Sequence, residues 1–221
     1  MAIEKLQKQT YRDNIYTTLR EKIISGEILP GQTLTLRDLA EQFGVSIIPI
    51  REAIAHLESE GVIIRRSNRD YRVNTLDLSQ FEEIYQLREM LECYIAKKAC
   101  ASPSTATADT LQTIYANMER ELAEEDLKSY LVSNKDFHFS LYSSGKSPYL
   151  AEIIHGLWAR VGPYLSIHTQ HADYLFSMNI HRKMLDAYIR KNEEALIEAL
   201  KADIRNSYSA LKPRISAQSG I

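Results

Sequence analysis

The sequence predicts a mainly α protein with two parts: an N-terminal winged helix-turn-helix at residues 1–75 and an all-helical antiparallel bundle of about six helices at 76–221. Two short helix patterns separated by a Gly-Val-Ser turn lie between Thr35 and Glu60. From Leu76 onward the apolar spacing is helical throughout, and the second part is long enough to bury its own core. Its predicted breaks are at 102–106, 124–126, 145–148, 171–174 and 191–193.

The helix-turn-helix carries its own start and stop signals. Thr35 and Asp38 resemble a capping box, and Gly44 is placed to end the first helix in a left-handed conformation. Ser46 can cap the second helix, and Pro49 is tolerated because it falls in the first turn. The spacing predicts a buried side of Leu36, Leu39, Ala40, Phe43, Ile50, Ala53, Ile54 and Leu57, and an outward side of Ile48, Arg51 and Ala55.

A β-hairpin wing is predicted directly after the second helix. The segment GVIIRRSNRDYRVNTL has an apolar run, a polar tip at 67–70 and a second strand. Helix-turn-helix units also occur in purely structural domains, but four arginines cluster on this wing, which favours double-stranded DNA as the partner. They are Arg65, Arg66, Arg69 and Arg72.

The charge distribution predicts a homodimer. Residues 1–75 hold 11 Lys and Arg against 10 acidic residues. A single winged helix, here called a reading head, therefore has little nonspecific attraction for DNA, and two copies must act together. The N-terminus lacks the apolar stretch of a signal peptide, and no run of eighteen apolar residues exists. We therefore expect a cytoplasmic protein with no membrane partner.

The segment LPGQTLTLRDLAEQFGVSIIPIREAIAHLESEGVI resembles the GntR family of bacterial transcriptional regulators, whose usual form is PGxxLxExxLAxxxGVSRTPVREALxxLxxEGL. The resemblance implies sequence-specific DNA binding. It places DNA-contacting positions at Arg37, Ser46, Ile48 and Arg51, and a wing tip that approaches the minor groove at Asn68 and Arg69.

Two residues depart from the family pattern. Ile47 stands where the family carries an arginine that reads a guanine edge, and Asp70 replaces the usual wing glycine. An isoleucine donates no hydrogen bond but can press against a thymine methyl, so Ile47 predicts an operator richer in A·T at this position. A carboxylate at 70 lowers the attraction of the wing for phosphate.

Polar residues interrupt the apolar stripes of three bundle helices. Asn134 and His138 project together, His181 lies in the stripe of the next-to-last helix, and Asp203 lies at the edge of the last one. Two imidazoles, a carboxylate and an amide from three helices have the composition of a divalent metal site. The alternative is a set of unrelated core residues, each satisfied locally.

The second part of the chain resembles the FCD effector domain of FadR-type GntR regulators, on an xxxRxxLE-like stretch at 86–92 and an xFHxxLxxxSGN-like stretch at 136–146. Many such domains hold a metal on an Asp and three His beside a small carboxylate ligand. The resemblance maps these positions to Asn134, His138, His181 and Asp203, which keeps one carboxylate and two imidazoles. Such a set suits zinc or nickel.

Arg88 provides a second anchor, because it lies in an apolar stripe where a guanidinium needs a partner. It forms an ion pair with Glu92 or another acid, or it clamps a ligand carboxylate. Effector-lining residues are predicted to be Arg88, Tyr142 and Arg160, with Tyr85, Trp158 and Tyr164 in the same cavity. His168 is either a substitute ligand or a charge at a helix C-terminus, and His171 is either a substitute ligand or a loop residue. We expect surface positions for His56 and His155 and core thiols at Cys93 and Cys100.

These features predict a regulator in which a small carboxylate effector in the bundle changes the spacing of two winged helices, and with it the affinity for DNA. The resemblance implies a repressor released from DNA by its effector, although the sequence does not state the sign. One alternative is a constitutive dimeric DNA-binding protein without an effector. Another is a metal-dependent oxygenase using His138, His181 and Asp203, which the attached DNA reader disfavours. No catalytic residues are predicted.

Overall fold

A computed structural model describes residues 11–67, 70–168 and 171–218. Its N-terminal part is the predicted winged helix, in which two helices of the helix-turn-helix follow a first helix and a short strand. The elements are α1 (Tyr11–Ile24), β1 (Thr33–Thr35), α2 (Leu36–Phe43), α3 (Ile47–Ser59), β2 (Ile63–Arg65) and β3 (Asp70–Val73).

The local signals that were predicted to delimit α2 are present in the structure. The Thr35 hydroxyl accepts a hydrogen bond from the Asp38 amide at 3.1 Å, which satisfies one free N–H of the first turn. Gly44 ends the helix with a φ of +64°, a conformation that disfavours any side chain. Ser46 occupies the N-cap position of α3, but its side chain makes no capping hydrogen bond.

The wing is part of a three-stranded antiparallel sheet in the order β1-β3-β2. Leu34 pairs with Tyr71, and Ile64 pairs with Arg72. The predicted hairpin of β2 and β3 is confirmed, whereas β1 was not predicted. Three residues carry too weak a pattern to be recognised as a strand, and β1 exists because β3 offers it a hydrogen-bonding edge.

The remaining helices form the predicted bundle: α4 (Leu78–Ala101), α5 (Thr105–Ala123), α6 (Leu127–Ser144), α7 (Pro148–His168), α8 (His171–Ile189) and α9 (Glu193–Gln218). The mainly α fold class is therefore confirmed. The predicted break between α7 and α8 is displaced: the two helices are separate, but residues 171–174 belong to α8. This segment contains neither Gly nor Pro, so nothing in its backbone opposes a helix.

The bundle buries an apolar core to which every helix from α4 to α9 contributes. Cys100 is buried in it and Cys93 packs against it, so the prediction of core thiols agrees with their positions. Burial raises the pKa of the Cys93 thiol to about 11, which keeps it protonated and unreactive. None of the described helices combines the length and apolar character needed to cross a bilayer.

Helix α7 joins the bundle to the winged helix. Ala159 is buried in the N-terminal core, and Arg160 Nε donates to the Glu60 carbonyl at the end of α3, at 3.0 Å. Gly162 lies against α1 so closely that a Cβ there would be 2.8 Å from the Ile24 carbonyl oxygen. These contacts seat one face of α7 directly on α1 and α3.

Gly44 and Gly156 allow the effect of backbone conformation on stability to be measured without a change in packing. A Cβ at either Gly44 or Gly156 meets nothing within 4 Å, but only Gly44 has a positive φ. We expect Gly44→Ala to destabilise the protein by about 1 kcal/mol, because an L-residue is strained there. Gly156→Ala should stabilise it by roughly 0.5–1 kcal/mol through helix propensity.

Urea denaturation followed by circular dichroism measures both changes. Shifts of the same sign for the two variants would contradict this assignment.

Candidate functional site

The outward face of α3 is the candidate DNA-reading surface. Ile47 and Ile48 are 43% and 69% exposed at its first two positions, and Arg51 and Ala55 are exposed further along. The Ser46 hydroxyl, which does not cap the helix, is exposed beside them. These residues share one accessible face at the N-terminal end of a recognition helix, the end that contacts bases in helix-turn-helix proteins.

Arg37 is exposed at the second residue of α2, the helix that packs against α3. Within the described ranges neither Arg37 nor Arg51 has an ion-pair partner, so both guanidinium groups are available to phosphates or bases.

The wing carries less free charge than its sequence suggests. Arg65 forms an ion pair with Glu58 at 3.1 Å, and Arg72 Nε donates to the Gly31 carbonyl at 2.6 Å. Asp70 is held within the wing, where its carboxylate accepts a hydrogen bond from the hydroxyl of Ser67. Arg66 is exposed. The predicted tip contacts Asn68 and Arg69 lie outside the described residues.

Inside the bundle, His138 on α6, His181 on α8 and Asp203 on α9 converge as a His–His–Asp cluster. The two Nε2 atoms are 3.1 Å apart, and His138 Nε2 is 3.2 Å from Asp203 Oδ2. Both imidazoles are fully buried and Asp203 is 8% exposed. The structure thus brings together three of the four residues predicted to bind a metal.

Hydrogen bonds fix which nitrogen of each histidine carries the proton. His181 Nδ1 is 2.8 Å from the Ser177 carbonyl, which can only accept, so Nδ1 is protonated. The Tyr142 hydroxyl donates a hydrogen bond to Glu92 at 2.5 Å, and its oxygen therefore accepts one from His138 Nδ1 at 3.1 Å. With Nδ1 protonated in each ring, Nε2 is the nitrogen left to bind a cation or a further proton, and the two Nε2 atoms face each other.

Two nitrogen lone pairs and a carboxylate oxygen in contact repel one another unless a cation or a proton lies among them. Ligand atoms bound at 2.0–2.1 Å to a tetrahedral ion are about 3.3 Å apart, close to the observed separations. All three ligand atoms lie within 4.8 Å of one another. The donor set therefore fits a divalent cation. The hydrogen bonds to both Nδ1 atoms are the outer contacts that orient metal-binding histidines.

Two members of the cluster, His181 and Asp203, have lowered pKa values. Burial lowers the pKa of His181, although Asp203 opposes the shift. Burial also opposes ionisation of Asp203, but the imidazoles of His181 and His138 and the Ser177 hydroxyl outweigh it and hold the pKa of that carboxyl below its usual value.

Glu92 is the centre of a second buried network, next to the cluster. It accepts hydrogen bonds from Arg88 Nε at 2.6 Å, Trp158 Nε1 at 3.1 Å and the Tyr142 hydroxyl. The predicted Arg88–Glu92 ion pair is present, and the guanidinium also lies 4.5 Å from the Trp158 ring centre. Arg88 Nη1, however, is buried without a hydrogen-bond partner in the described residues.

A small cavity of about 40 Å³ joins the two networks. Arg88, Asn134 and Asp203 contribute polar groups to its wall, and Trp158, Tyr130 and Tyr174 contribute aromatic rings. Asn134, the fourth predicted metal residue, is half-buried on this wall. A volume of this size holds about one or two water molecules. A larger ligand requires its lining to open.

Several predicted lining residues are located elsewhere. Arg160 binds the Glu60 carbonyl at the domain junction, so its charge is directed away from the cavity. Tyr142 is buried behind His138, where its hydroxyl is committed to Glu92. The Tyr85 hydroxyl pairs with Ser207, and that of Tyr164 with the Leu76 amide. In each case a helical stripe gave the buried side but not the neighbouring helix it meets.

The surface prediction for His155 is wrong. Its ring stacks on Phe139 at 3.7 Å, and burial lowers its pKa to about 4. His56 is exposed, as predicted, and stacks on Tyr16. The side chains of His168 and His171 lie outside the described residues.

Sequence reasoning missed Ser177 and Asn206. The Ser177 hydroxyl donates a hydrogen bond to Asp203 at 3.0 Å, and the backbone carbonyl of Ser177 accepts one from His181 Nδ1. This residue therefore orients two members of the cluster. Its spacing of four residues before His181 was the available signal. Asn206, three residues after Asp203, lines the cavity.

The Glu92 network makes a stability prediction. Glu92→Gln leaves the buried Arg88 guanidinium without its counter-ion, and we expect a loss of about 3–5 kcal/mol. Glu89→Gln, on the same helix, breaks an ion pair with the 64% exposed side chain of Arg205 and should change stability by about 1 kcal/mol or less. Urea denaturation compares the two, and equal losses would contradict a structural role for Glu92.

Comparisons with known proteins agree with both halves of this description. Residues 11–73 match the family described as bacterial regulatory proteins, gntR family, and residues 83–206 match the FCD domain. The chain is 29% identical over 184 residues to the HTH-type transcriptional regulator McbR of Escherichia coli, covering 83% of this chain and 79% of that protein. It is 24% identical over 217 residues to the HTH-type transcriptional regulator YdhC of Bacillus subtilis, covering 94% of each.

Solved structures have the same fold. The structure of E. coli McbR/YncC superimposes with a TM-score of 0.89 at 24% identity, covering 93% of this chain and 98% of that one. A GntR structure from Rhodococcus superimposes with a TM-score of 0.77 at 21% identity, covering 90% and 96%. The chain belongs to the GntR family of DNA-binding transcriptional regulators and carries the FCD domain of its FadR-type members.

Proposed function

We propose that this GntR-family protein is a homodimeric regulator in which a divalent metal at the His–His–Asp cluster and a small carboxylate beside it control operator binding. The observation that carries the proposal is the convergence of His138 Nε2, His181 Nε2 and the Asp203 carboxylate inside a bundle. On the DNA side, Arg37, Ser46 and Arg51 supply contacts to phosphates and bases, because their polar groups are exposed on α2 and at the N-terminal half of α3.

The cluster is suited to zinc or nickel, since imidazole and carboxylate ligands bind both. When bound, the metal supplies a positive centre for a ligand carboxylate. The Asn134 amide, on the adjoining cavity wall, is the fourth candidate ligand. Two histidines and one carboxylate also form the iron site of some oxygenases, but the named relatives are regulators, which favours binding over catalysis.

Arg88 is the second anchor for an anion. Its Nη1 group is buried without a hydrogen-bond partner among the described residues, and Arg88 belongs to the same cavity wall as Asn134 and Asp203. A carboxylate on Nη1 would satisfy this donor with a charge-assisted hydrogen bond. Because the cavity holds only one or two waters, binding of a carboxylate must displace part of its wall.

Helix α7 is the element through which such a displacement reaches DNA. Trp158 lies on the cavity wall, the next residue, Ala159, is buried in the N-terminal core, and Arg160 binds the C-terminal end of α3. A shift of Trp158 therefore moves the support of the recognition helix. Allosteric coupling of this kind changes affinity by about 1–3 kcal/mol. The proposed protein is a repressor, so binding of the ligand lowers its affinity for the operator.

The exposed face of α4 supports a homodimer. Leu87, Met90 and Tyr94 are 38%, 69% and 58% exposed along one stripe. In an antiparallel crossing of two α4 helices about Met90, Leu87 meets Tyr94 of the second copy, and Glu83 meets Lys97, because each pair is nearly equidistant from position 90. The stripe thus places apolar residues opposite apolar ones and an acid opposite a base, as a two-fold interface requires.

Elemental analysis of the freshly isolated protein tests the metal. We expect about one zinc or nickel ion per chain in the wild type and its loss in His181→Ala, because removal of one of three protein ligands weakens the site. His56→Ala, which removes an exposed histidine from α3, should keep the ion.

Native mass spectrometry of the same samples identifies any bound acid. Protein that contains no metal after incubation with zinc or nickel, with His181→Ala unchanged in stability, would reject the metal site and leave Arg88 as the only anchor.

Met90→Asp tests the dimer. Two carboxylates at the centre of the proposed interface repel each other, so we expect a monomer in light scattering and at least a ten-fold weaker operator complex, since one reading head has little nonspecific attraction. The matched control is Tyr149→Asp, which places the same charge on an 84% exposed residue of α7. A dimeric Met90→Asp protein would exclude the α4 interface.

A further inference from the structure

The first turn of the recognition helix contains no side chain that can read a purine through hydrogen bonds. Its residues 47–50 are Ile-Ile-Pro-Ile, of which Ile50 is fully buried. Ile47 and Ile48 expose 43% and 69% of their surface to the solvent. In contrast, Ile54 further along the same helix is fully buried. The two exposed isoleucines are thus not part of the domain core.

Their position makes this exposure informative. Single exposed apolar side chains are common on proteins, but two adjacent ones at the end of α3 that contacts bases occupy the reading position itself. The groups around them are polar: the uncapped Ser46 hydroxyl precedes them, and Arg51 lies one turn later. An apolar centre with a polar edge is what a helix needs to contact a methyl group and the neighbouring phosphates together.

The major groove of DNA offers one apolar group, the C5-methyl of a pyrimidine. Guanine and adenine present acceptors and donors there, which an isoleucine leaves unpaired at an energetic penalty. We propose that Ile47 and Ile48 are specificity-determining residues that read C5-methyl groups at adjacent base pairs. Thymine carries this methyl in unmodified DNA, and 5-methylcytosine presents the same group on a G·C pair.

The two residues read separate methyl groups. Successive side chains on a helix are about 100° apart, so Ile47 and Ile48 point to different base pairs or to opposite strands. Burying one methyl group contributes about 0.8 kcal/mol, which corresponds to roughly a four-fold change in affinity. Arg51 contributes charge and phosphate or base contacts, which are independent of the methyl.

The experiment begins with selection of an operator from random duplex DNA by the full-length protein. Each thymine of one half-site is then replaced singly by deoxyuridine, which removes only the C5-methyl and keeps the base pair. Dissociation constants are measured by fluorescence anisotropy at one fixed salt concentration. We expect one or two positions at which the replacement weakens binding roughly four-fold, and no effect at the others.

Two further arms of the experiment identify the chemical group that is recognised and the residues that recognise it. At a sensitive position, a 5-methylcytosine·guanine pair should bind more tightly than cytosine·guanine by a similar factor, because only the methyl differs. If the methyl is read only on thymine, this arm shows no gain while the uracil arm shows a loss. The doubly substituted Ile47→Ala, Ile48→Ala protein should bind thymine and uracil operators equally.

Arg51→Ala is the matched control, since it should weaken binding to both operators and keep their ratio. DNA binding itself is measured by the complex with the selected operator, so its failure is distinct from failure of methyl reading. Uracil replacement without effect at every position would overturn the proposal. So would a thymine-to-uracil ratio that survives the double isoleucine substitution, or a selection that enriches no sequence from DNA the protein still binds.

Discussion

The buried Glu92 carboxylate is the interaction on which the candidate sensing site depends. It neutralises Arg88 on its own helix, accepts from Trp158 on α7 and accepts from Tyr142 on α6. Because the Tyr142 hydroxyl donates to Glu92, its oxygen must accept from His138 Nδ1, and this turns His138 Nε2 toward His181. One carboxylate thus sets both the ion pair and the tautomer of a histidine two hydrogen bonds away.

Helix α7 connects this interior to the DNA-reading half. Trp158, Ala159 and Arg160 are consecutive, yet they contact the cavity, the N-terminal core and the end of the recognition helix. A helix is stiff along its axis, so the three contacts cannot move independently. Gly162 lies so close to the Ile24 carbonyl that α7 and α1 are tightly packed at this junction. This physical continuity is the route by which the proposed ligand would act on α3.

Much of the architecture was predictable because its signals are local. The cap at Thr35, the positive-φ Gly44 and the apolar spacing of Ile50 and Ile54 each act within a few residues, and each agrees with the structure. The stripes of the bundle likewise identified His138, His181 and Asp203 as inward residues. The same reasoning misplaced Arg160 and His155, because a stripe tells which side of a helix is buried and not what covers it.

The sequence by itself determined the two-part α-helical fold, the reading helix with its unusual isoleucines and the set of polar residues that must lie inside the bundle. Only the tertiary structure decided that three of these residues meet at 3.1–3.2 Å, and that Ser177 and Tyr142 fix their protons. It also decided that Arg160 serves the domain junction. The reason is that helix periodicity depends on residues close together in the sequence, whereas contacts between α4, α6, α7, α8 and α9 depend on how whole helices pack.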